Sequence, residues 1–275
     1  MIYKQINLKS IYKKLKYDVY LTTYCPDNSP EVDLNRVRPT FLLLPGGGYN
    51  MVSDRENEPI ALRFLGYDFN VFSLKYSVNP NTDFPYPIIE GFAALDYIRK
   101  HAREYNVDVN KIYTMGFSAG GHFAATLACY QDSEIFKKYL EIENPDFKVD
   151  GCVLGYPVIS CYPEIGESGT RTNVTKSDPD KLVDFFSIDR HITEKFPKTF
   201  VFTFEEDPVV PVKNTYLLIE ALKNSGVKHE MHIYHAPIHG SSLGDRSVYP
   251  DNMKIDDYKE STEWPLLAIK FLENN

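Results

Sequence analysis

The stretch Gly116-Phe117-Ser118-Ala119-Gly120 decides the fold of this 275-residue chain. The residues before it, Lys111–Met115, mix apolar and β-branched types as a short strand does, and those after it, Gly121–Tyr130, are mostly small or apolar and include no proline. This pattern predicts a serine on a tight, strained turn between a buried strand and a buried helix, at the carboxyl edge of a sheet. Both glycines of the pentapeptide are expected because a Cβ at either position would collide with the neighbouring strand or helix.

Composition is typical of a globular protein, with 43% hydrophobic and 25% charged residues and no apolar run long enough to cross a membrane. The net charge of −8 disfavours a nucleic-acid partner, because phosphates would be repelled. The start of the chain lacks the apolar core of a secretory signal, so we expect a cytoplasmic location. The four cysteines form no CxxC pair, which indicates reduced structural thiols and no metal or cofactor.

Short apolar runs alternate with helical patterns along most of the chain. Four runs are typical of strands covered on both faces: Phe41–Leu44, Val71–Leu74, Val153–Tyr156 and Phe200–Phe204. Two segments have helical periodicity: Pro87–Tyr105, and Val212–Ser225, in which Tyr216, Ile219 and Leu222 share a stripe and Gly226 is a plausible stop. Alternating strands and helices predict an α/β fold with a mostly parallel central sheet and helices on both faces.

Two regions differ from this rhythm. Tyr17–Thr22 alternates polar and apolar residues, which predicts an antiparallel N-terminal lead-in to the sheet. Residues 159–198 contain scattered Gly, Pro, Thr and Asp, with a weak helical pattern only at Asp180–Phe186. A connection of this length is typical of a cap or lid, although a surface excursion without a role is the alternative. We therefore predict one domain over residues 1–275 with a lid-like excursion.

A serine hydroxyl attacks a carbonyl only when an imidazole accepts its proton and a carboxylate orients that imidazole. Candidates for both follow the ends of predicted strands. Asp207 is preferred over Glu205 and Glu206 because Pro208 and Pro211 restrict the turn that follows, although a helix-capping aspartate is the simpler alternative. His239 is preferred over His232 and His235 because it lies in a loop before Gly240 and can reach the sheet edge.

A third requirement is a site for the negative oxygen that forms on attack. The glycine run in Leu44-Pro45-Gly46-Gly47-Gly48-Tyr49 follows the strand Phe41–Leu44, and it lets backbone N–H groups approach a substrate closely. One of these N–H groups, together with that of Ala119, would form an oxyanion hole. A phosphate-binding loop is disfavoured, since no Lys-Ser or Lys-Thr pair follows the glycines.

Taken together, these motifs resemble the bacterial acetylxylan-esterase-like, or carbohydrate-esterase, branch of the α/β-hydrolases. The matching pieces, in order, are Pro45–Tyr49, Ser73–Val78, Met115–His122, Gly155–Ser160, Asp207–Val212 and His239–Gly240. The resemblance implies the α/β-hydrolase fold, Ser118 as nucleophile with Asp207 and His239, and oxyanion donors at Gly47, Gly48 and Ala119. The chain departs from related enzymes at Pro45, where lipase-type loops have a histidine, and at Ser241–Leu243, where relatives often have an aromatic residue.

We therefore hypothesise a serine carboxylesterase that hydrolyses short acyl esters, such as acetyl esters, of small or sugar-like alcohols. A small-molecule ester is then the partner, with no membrane and no nucleic acid, and a homo-oligomer stays among the alternatives for assembly. Tyr49 and Tyr76 are the candidate substrate-binding residues, with Phe185 and Phe186 as further aromatics for the pocket. The competing hypotheses are a serine peptidase or amidase of the prolyl-oligopeptidase type and a non-catalytic binding protein with this fold.

Overall fold

A computed structural model describes residues 1–165, 167–249 and 256–274. Its centre is an eight-stranded sheet in the order β1-β2-β4-β3-β5-β6-β7-β8. The strands are β1 (Ile2–Asn7), β2 (Tyr20–Cys25), β3 (Arg38–Leu44), β4 (Asn70–Lys75), β5 (Val107–Phe117), β6 (Gly151–Gly155), β7 (Thr199–Phe204) and β8 (His229–Tyr234). Strand β2 is antiparallel to both of its neighbours, and all the other pairs are parallel. The predicted parallel sheet with an antiparallel N-terminal lead-in is confirmed.

Helices connect the strands and cover the sheet. They are α1 (Leu8–Ile11), α2 (Glu58–Leu65), α3 (Ile88–Lys100), α4 (Ala119–Cys129), α5 (Glu134–Leu140), α6 (Ser168–Thr175), α7 (Pro179–Phe185), α8 (Lys213–Asn224) and α9 (Trp264–Asn274), with 3₁₀ turns at Asp54–Glu56, Ile188–Arg190 and Asp256–Glu263. Within the described ranges, no helix is both long and apolar enough to cross a membrane.

The sheet is buried on both faces, as its continuous apolar runs predict. In β3, Leu42 and Leu44 belong to one hydrophobic core, together with side chains of α3 and α4. Phe41 and Leu43 belong to the other core, which contains residues of α2 and α9. Because successive side chains of a strand point to opposite faces, a strand between two helical layers needs apolar residues at every position.

The order of the strands creates a crevice at one edge of the sheet. From β3 the chain proceeds to β4 on one side, and it then returns to the opposite side of β3 to form β5. Ligands bind at such a switch point, outside the carboxyl ends of the two strands. The glycine run after β3 and Ser118 after β5 both lie at this edge, since Leu44 pairs with Gly116 in the parallel register.

The turn at Ser118 has the predicted strained geometry. Ser118 has φ 52° and ψ −122°, which places a non-glycine residue at positive φ immediately before α4. A Cβ on Gly116 would lie 2.1 Å from the Gly120 carbonyl oxygen, and a Cβ on Gly120 would lie 2.0 Å from the Leu44 carbonyl oxygen. Both glycines are therefore required because backbone packs directly on backbone between β5, α4 and the end of β3.

Two expectations from the helical patterns are wrong. Tyr216 lies on the exposed side of α8, whose buried stripe comprises Asn214, Thr215, Leu218 and Leu222. The excursion at 159–198 contains α6 in addition to the predicted helix, which is α7. The sequence of α6 is rich in threonine and is a poor helix former, but the Glu167 carboxylate caps it by accepting from the N–H groups of Gly169 and Thr170.

A buried histidine joins α4 to the excursion. His122 is fully buried, and its Nε2 lies 2.9 Å from the carbonyl oxygen of Phe186, while its Nδ1 lies 2.9 Å from the Tyr49 hydroxyl. A carbonyl only accepts, so Nε2 carries the proton and Tyr49 donates to Nδ1. Burial lowers the pKa of His122 from 6.5 to about 4, and the imidazole is neutral at pH 7.

Steric contact at the turn predicts an unequal cost for two glycine substitutions. Gly120→Ala is expected to lower the free energy of unfolding by at least about 3 kcal/mol, because its Cβ would meet backbone atoms that cannot rotate aside. Gly226→Ala is the matched control. It has φ 69° but no atom within 4 Å of the added Cβ, so it should cost only about 1 kcal/mol. Urea denaturation measures both, and equal costs would contradict the steric argument.

The burial of His122 predicts a dependence of stability on pH. Its folded pKa of about 4 lies below the unfolded value of 6.5, so the unfolded chain binds more protons between these values. The contribution of His122 is thus fully present above pH 6.5 and is lost as the pH falls towards 4. His122→Gln should reduce the loss of unfolding free energy across this window by up to about 3 kcal/mol relative to the wild-type chain, measured by urea denaturation. Parallel pH curves for the two proteins would refute this account.

Candidate active site

The structure brings Ser118, His239 and Asp207 together, although they are far apart in the sequence. The Ser118 hydroxyl oxygen lies 2.9 Å from Nε2 of His239, and Nδ1 of His239 lies 2.7 Å from Oδ2 of Asp207. Ser118 follows β5, Asp207 follows β7 and His239 follows β8, so the common carboxyl edge of the parallel strands explains their convergence. The arrangement is that of a nucleophile, a base and a residue that orients the base.

The turn after β7 fixes the carboxylate of Asp207. Its Oδ1 accepts hydrogen bonds from the N–H groups of Val209 at 2.8 Å and Val210 at 2.9 Å, which leaves Oδ2 for the imidazole. The side chain is completely inaccessible to solvent. Because α8 begins only at Lys213, Asp207 does not cap that helix, and the capping alternative is not what the structure shows.

The other histidines considered for the base lie away from Ser118. His232 is in β8, where its Nε2 is 2.8 Å from a carboxylate oxygen of Glu230 and its ring packs against Phe200. His235 is exposed just after the same strand. The loop that follows β8 brings His239 to the serine.

The glycine loop, defined here as residues 45–49, has all of its carbonyl groups bound to the body of the protein. The Pro45 carbonyl accepts from the Tyr76 hydroxyl, the Gly46 carbonyl from the N–H of Ser53, and the Gly47 carbonyl from the N–H groups of Asn50 and Met51. The Gly48 carbonyl accepts from the side-chain amide of Asn173, and the Tyr49 carbonyl from the N–H of Asn79. All of these distances are 2.5 to 3.2 Å. In a trans peptide the N–H points opposite to the C=O. Anchoring the carbonyls of Gly46 and Gly47 therefore turns the N–H groups of Gly47 and Gly48 away from the donors that hold these carbonyls.

The predicted oxyanion donors lie in the glycine loop and at the first residue of α4. In the described parts of the chain, the N–H groups of Gly47, Gly48 and Ala119 donate to no protein acceptor. Gly47 and Gly48 line the same cavity as Ser118 and His239. Ala119 is the first residue of α4, where N–H groups lack helical partners and the helix dipole favours negative charge. Backbone N–H groups without a protein acceptor therefore border the cavity and follow Ser118 directly.

The cavity over Ser118 has a volume of about 450 Å³, and most of the side chains that line it are of polar or charged types. Most of its side chains come from the segment after the glycine loop, and the rest come from the start of α6 and the turns after β7 and β8: Asn50, Met51, Ser53, Asp54, Arg55, Glu56, Glu167, Val209 and His239. The guanidinium of Arg55 also lies over the ring of Tyr249, 5.5 Å from its centroid. This wall offers more hydrogen-bonding groups than an apolar acyl chain requires.

The expectation that Tyr49 and Tyr76 bind substrate is corrected by the structure. Both are buried and absent from the wall of the cavity, and their hydroxyls are bound to His122 and to the Pro45 carbonyl. Phe185 and Phe186 likewise pack against each other in the excursion and do not reach the cavity. Tyr76 is a hydrogen-bond donor to the glycine loop and Tyr49 is one to His122, which explains why both side chains turn into the core.

Sequence reasoning missed two residues beside the site. Glu56 is buried and accepts from the N–H of Gly46 at 2.7 Å. Asn173, in α6, donates to the Gly48 carbonyl at 2.7 Å. Glu56 lies in the charged triplet from Asp54 to Glu56, which resembles a surface turn, and nothing in the pattern around Asn173 indicates its contact. In the described residues, no group of three or more His, Cys, Asp or Glu side chains is placed to hold a metal ion.

Comparison with known proteins agrees with this geometry. The model of the BD-FAE family matches residues 28–222. An endo-1,4-beta-xylanase B from Butyrivibrio fibrisolvens is 31% identical over 77% of this chain, and an acetylxylan esterase from Xylanibacter ruminicola is 27% identical over 78% of it. The chain spans only 34% and 43% of the lengths of these two relatives.

Solved structures match over nearly the whole chain. An acetyl ester-xyloside bifunctional hydrolase from Caldicellulosiruptor lactoaceticus has a TM-score of 0.80 and 30% identity, covering 98% of this chain and 97% of its own. A carboxylesterase from Lactobacillus plantarum has a TM-score of 0.87 and 25% identity, covering 100% and 98%. The resemblance inferred from the motifs is confirmed: the chain belongs to the BD-FAE family, among the acetylxylan-esterase-like proteins of the α/β-hydrolase fold.

Proposed function

We propose that the protein is a carboxylic ester hydrolase that acts through an acyl-enzyme on Ser118. His239 accepts the serine proton as the hydroxyl attacks the ester carbonyl, and it then donates that proton to the departing alcohol. Water attacks the acyl-enzyme by the same route and releases the acid. Asp207 accepts from Nδ1–H of His239 and so keeps Nε2 available as the base.

The observation on which this proposal rests is the continuous chain of contacts from Ser118 through His239 to Asp207, at 2.9 and 2.7 Å. The free N–H groups of Gly47, Gly48 and Ala119 support it independently, since acyl transfer requires donors for the developing oxyanion. The names of the relatives, which include an acetylxylan esterase and carboxylesterases, point to the same reaction class.

For the substrate, we propose short acyl groups, acetyl above all, on sugar-like or small polyhydroxylated alcohols. The polar side chains of the cavity support a hydroxyl-rich leaving group, because asparagine, serine and charged side chains bind hydroxyls by hydrogen bonds. Acetyl esters also appear in the names of two similar proteins, one a curated relative and the other a solved structure.

Removal of the nucleophile tests the proposed reaction. Ser118→Ala should lower kcat/KM for an aryl acetate by at least about 10⁴-fold, because the residual rate then comes from binding and the oxyanion site alone. The assay measures release of the aryl alcohol, and a rapid burst equal to the enzyme concentration would report the acyl-enzyme. Ser10→Ala, at an exposed position of α1 outside the cavity, is the matched control and should keep the activity of the wild-type chain. A Ser118→Ala variant above about 1% of wild-type activity would show that the nucleophile lies elsewhere.

A panel of esters tests the proposed substrate class. The kcat/KM for aryl esters should be highest for acetate and should fall about tenfold or more by octanoate, since few of the side chains that line the cavity, Met51 and Val209, are apolar and can pack against a long acyl chain. Acetylated xylo-oligosaccharides should be hydrolysed. Anilides of the acids used in the aryl-ester panel should not be hydrolysed. A preference for octanoate would contradict the acyl assignment, and turnover of anilides would favour the peptidase or amidase alternative.

A further inference from the structure

A buried carboxylate connects the two loops that surround Ser118. Glu56 is only 3% exposed, and each of its oxygens accepts one hydrogen bond: Oε2 from the N–H of Gly46 at 2.7 Å and Oε1 from the hydroxyl of Tyr156 at 2.6 Å. Gly46 belongs to the glycine loop, whereas Tyr156 follows β6. Burying a carboxylate is costly unless its oxygens are satisfied, and here both are used on groups next to the site.

The first of these bonds fixes the start of the glycine loop. The Gly46 N–H is bound to Glu56 and the Gly46 carbonyl to the N–H of Ser53, so the peptide planes on both sides of Gly46 are held. The direction of the Gly47 N–H follows from the second of these planes. Close packing adds to this restraint, since a Cβ on Gly46 would lie 2.7 Å from Oε2 of Glu56 and 3.1 Å from the Cβ of Ser118.

The second bond reaches the loop that carries His239. The Tyr156 hydroxyl donates to Glu56 and accepts from the N–H of Ser242 at 2.9 Å, and the Tyr156 ring meets the imidazole of His239 edge-on at 5.1 Å. Tyr156 is completely buried, and this burial raises its pKa well above the usual value, which keeps the hydroxyl protonated as a donor. The Ser242 hydroxyl donates to the Arg55 carbonyl at 2.6 Å, so the loop of His239 is also bound to the residue that precedes Glu56.

We propose that Glu56 is a positioning residue for ester hydrolysis: together with the N–H of Ser53 it fixes Gly46, and hence the direction in which the Gly47 N–H binds the oxyanion, and through Tyr156 it fixes the loop of His239. The proposal rests on the function proposed above and adds to it a residue that acts through Gly46 and Tyr156 without touching the reacting atoms. Tyr156 connects Glu56 to the loop of His239 through its hydrogen bond with Ser242. The Gly155–Ser160 motif therefore gains a role that the triad alone does not give it.

A pair of esters that differ in one atom tests this role. An aryl acetate and the matching aryl thionoacetate, in which sulfur replaces the carbonyl oxygen, react at the same serine, but sulfur is a larger and weaker hydrogen-bond acceptor. An ordered oxyanion site should therefore favour the oxygen ester strongly. The ratio of the two kcat/KM values, measured on one enzyme sample, does not depend on the fraction of protein that is folded.

Glu56→Gln should lower kcat for the oxygen ester by about 10- to 100-fold with little change in KM, and should reduce the oxygen-to-sulfur ratio by a similar factor. The amide has one acceptor oxygen, so one of the two donors loses its partner. Tyr156→Phe, which keeps the ring against His239, should shift the ratio in the same direction, and the double variant should fall short of the product of the two effects. Glu58→Gln is the matched control on an exposed carboxylate and should leave the ratio unchanged.

The outcomes separate this inference from the proposed function. If Glu56→Gln and Tyr156→Phe both keep the oxygen-to-sulfur ratio of the wild-type chain, the positioning role is overturned, even where both esters react more slowly. The proposed ester hydrolase activity would still stand. A wild-type chain that hydrolyses the oxygen ester no faster than Ser118→Ala does would overturn the proposed function and this inference with it. If Glu56→Gln does not fold, the ratio in Tyr156→Phe decides.

Discussion

Contact between backbones at the switch point of the sheet is the constraint on which the rest of the structure depends. The start of α4 lies directly against the end of β3, with no side chain between them, because Gly116 and Gly120 leave no Cβ in the way. This contact brings the Ser118 turn beside the glycine loop, and the two oxyanion elements become neighbours although they come from separate strands. The strained φ of Ser118 is held by this packing and by bonds from its N–H and carbonyl to the residues around β6.

The glycine loop illustrates how a site is built from groups that never meet the substrate. Its carbonyls are satisfied by donors from the body of the protein, namely Tyr76, Ser53, Asn50, Met51, Asn173 and Asn79. The N–H groups of Gly47 and Gly48 are left without a protein acceptor in the described parts of the chain. Unpaired N–H groups at a cavity are costly unless a ligand or water binds them, so the loop is prepared for an acceptor before one arrives.

The sequence predicts the parts of this molecule that depend on local pattern. Buried parallel strands produce continuous apolar runs, and the elbow glycines follow from steric exclusion, so the sheet and the turn at Ser118 could be inferred. The grouping of Ser118, Asp207 and His239 was inferred for the same reason, since each follows a strand that ends at one edge. The parts that failed depend on tertiary contacts. Helix α6 is the exception, since a local cap from Glu167 lets a poor helix-forming sequence fold as a helix. Tyr49 and Tyr76 turn inward and donate to His122 and to the Pro45 carbonyl. The hydrogen bond from Tyr156 to Glu56 joins residues 100 positions apart in the sequence.

The bond from Asn173 to the Gly48 carbonyl joins α6 to the glycine loop, while Glu167 and Gly169 at the start of the same helix border the cavity. One short helix therefore shapes the space for the ligand and holds the carbonyl of Gly48, whose own N–H is one of the proposed oxyanion donors. In such an arrangement, recognition and turnover are not independent traits. An insertion or deletion in α6 that admits a new ligand would also disturb the loop, so diversification within this family is expected to proceed by paired changes in α6 and in residues 45–49, and not by alteration of one segment alone.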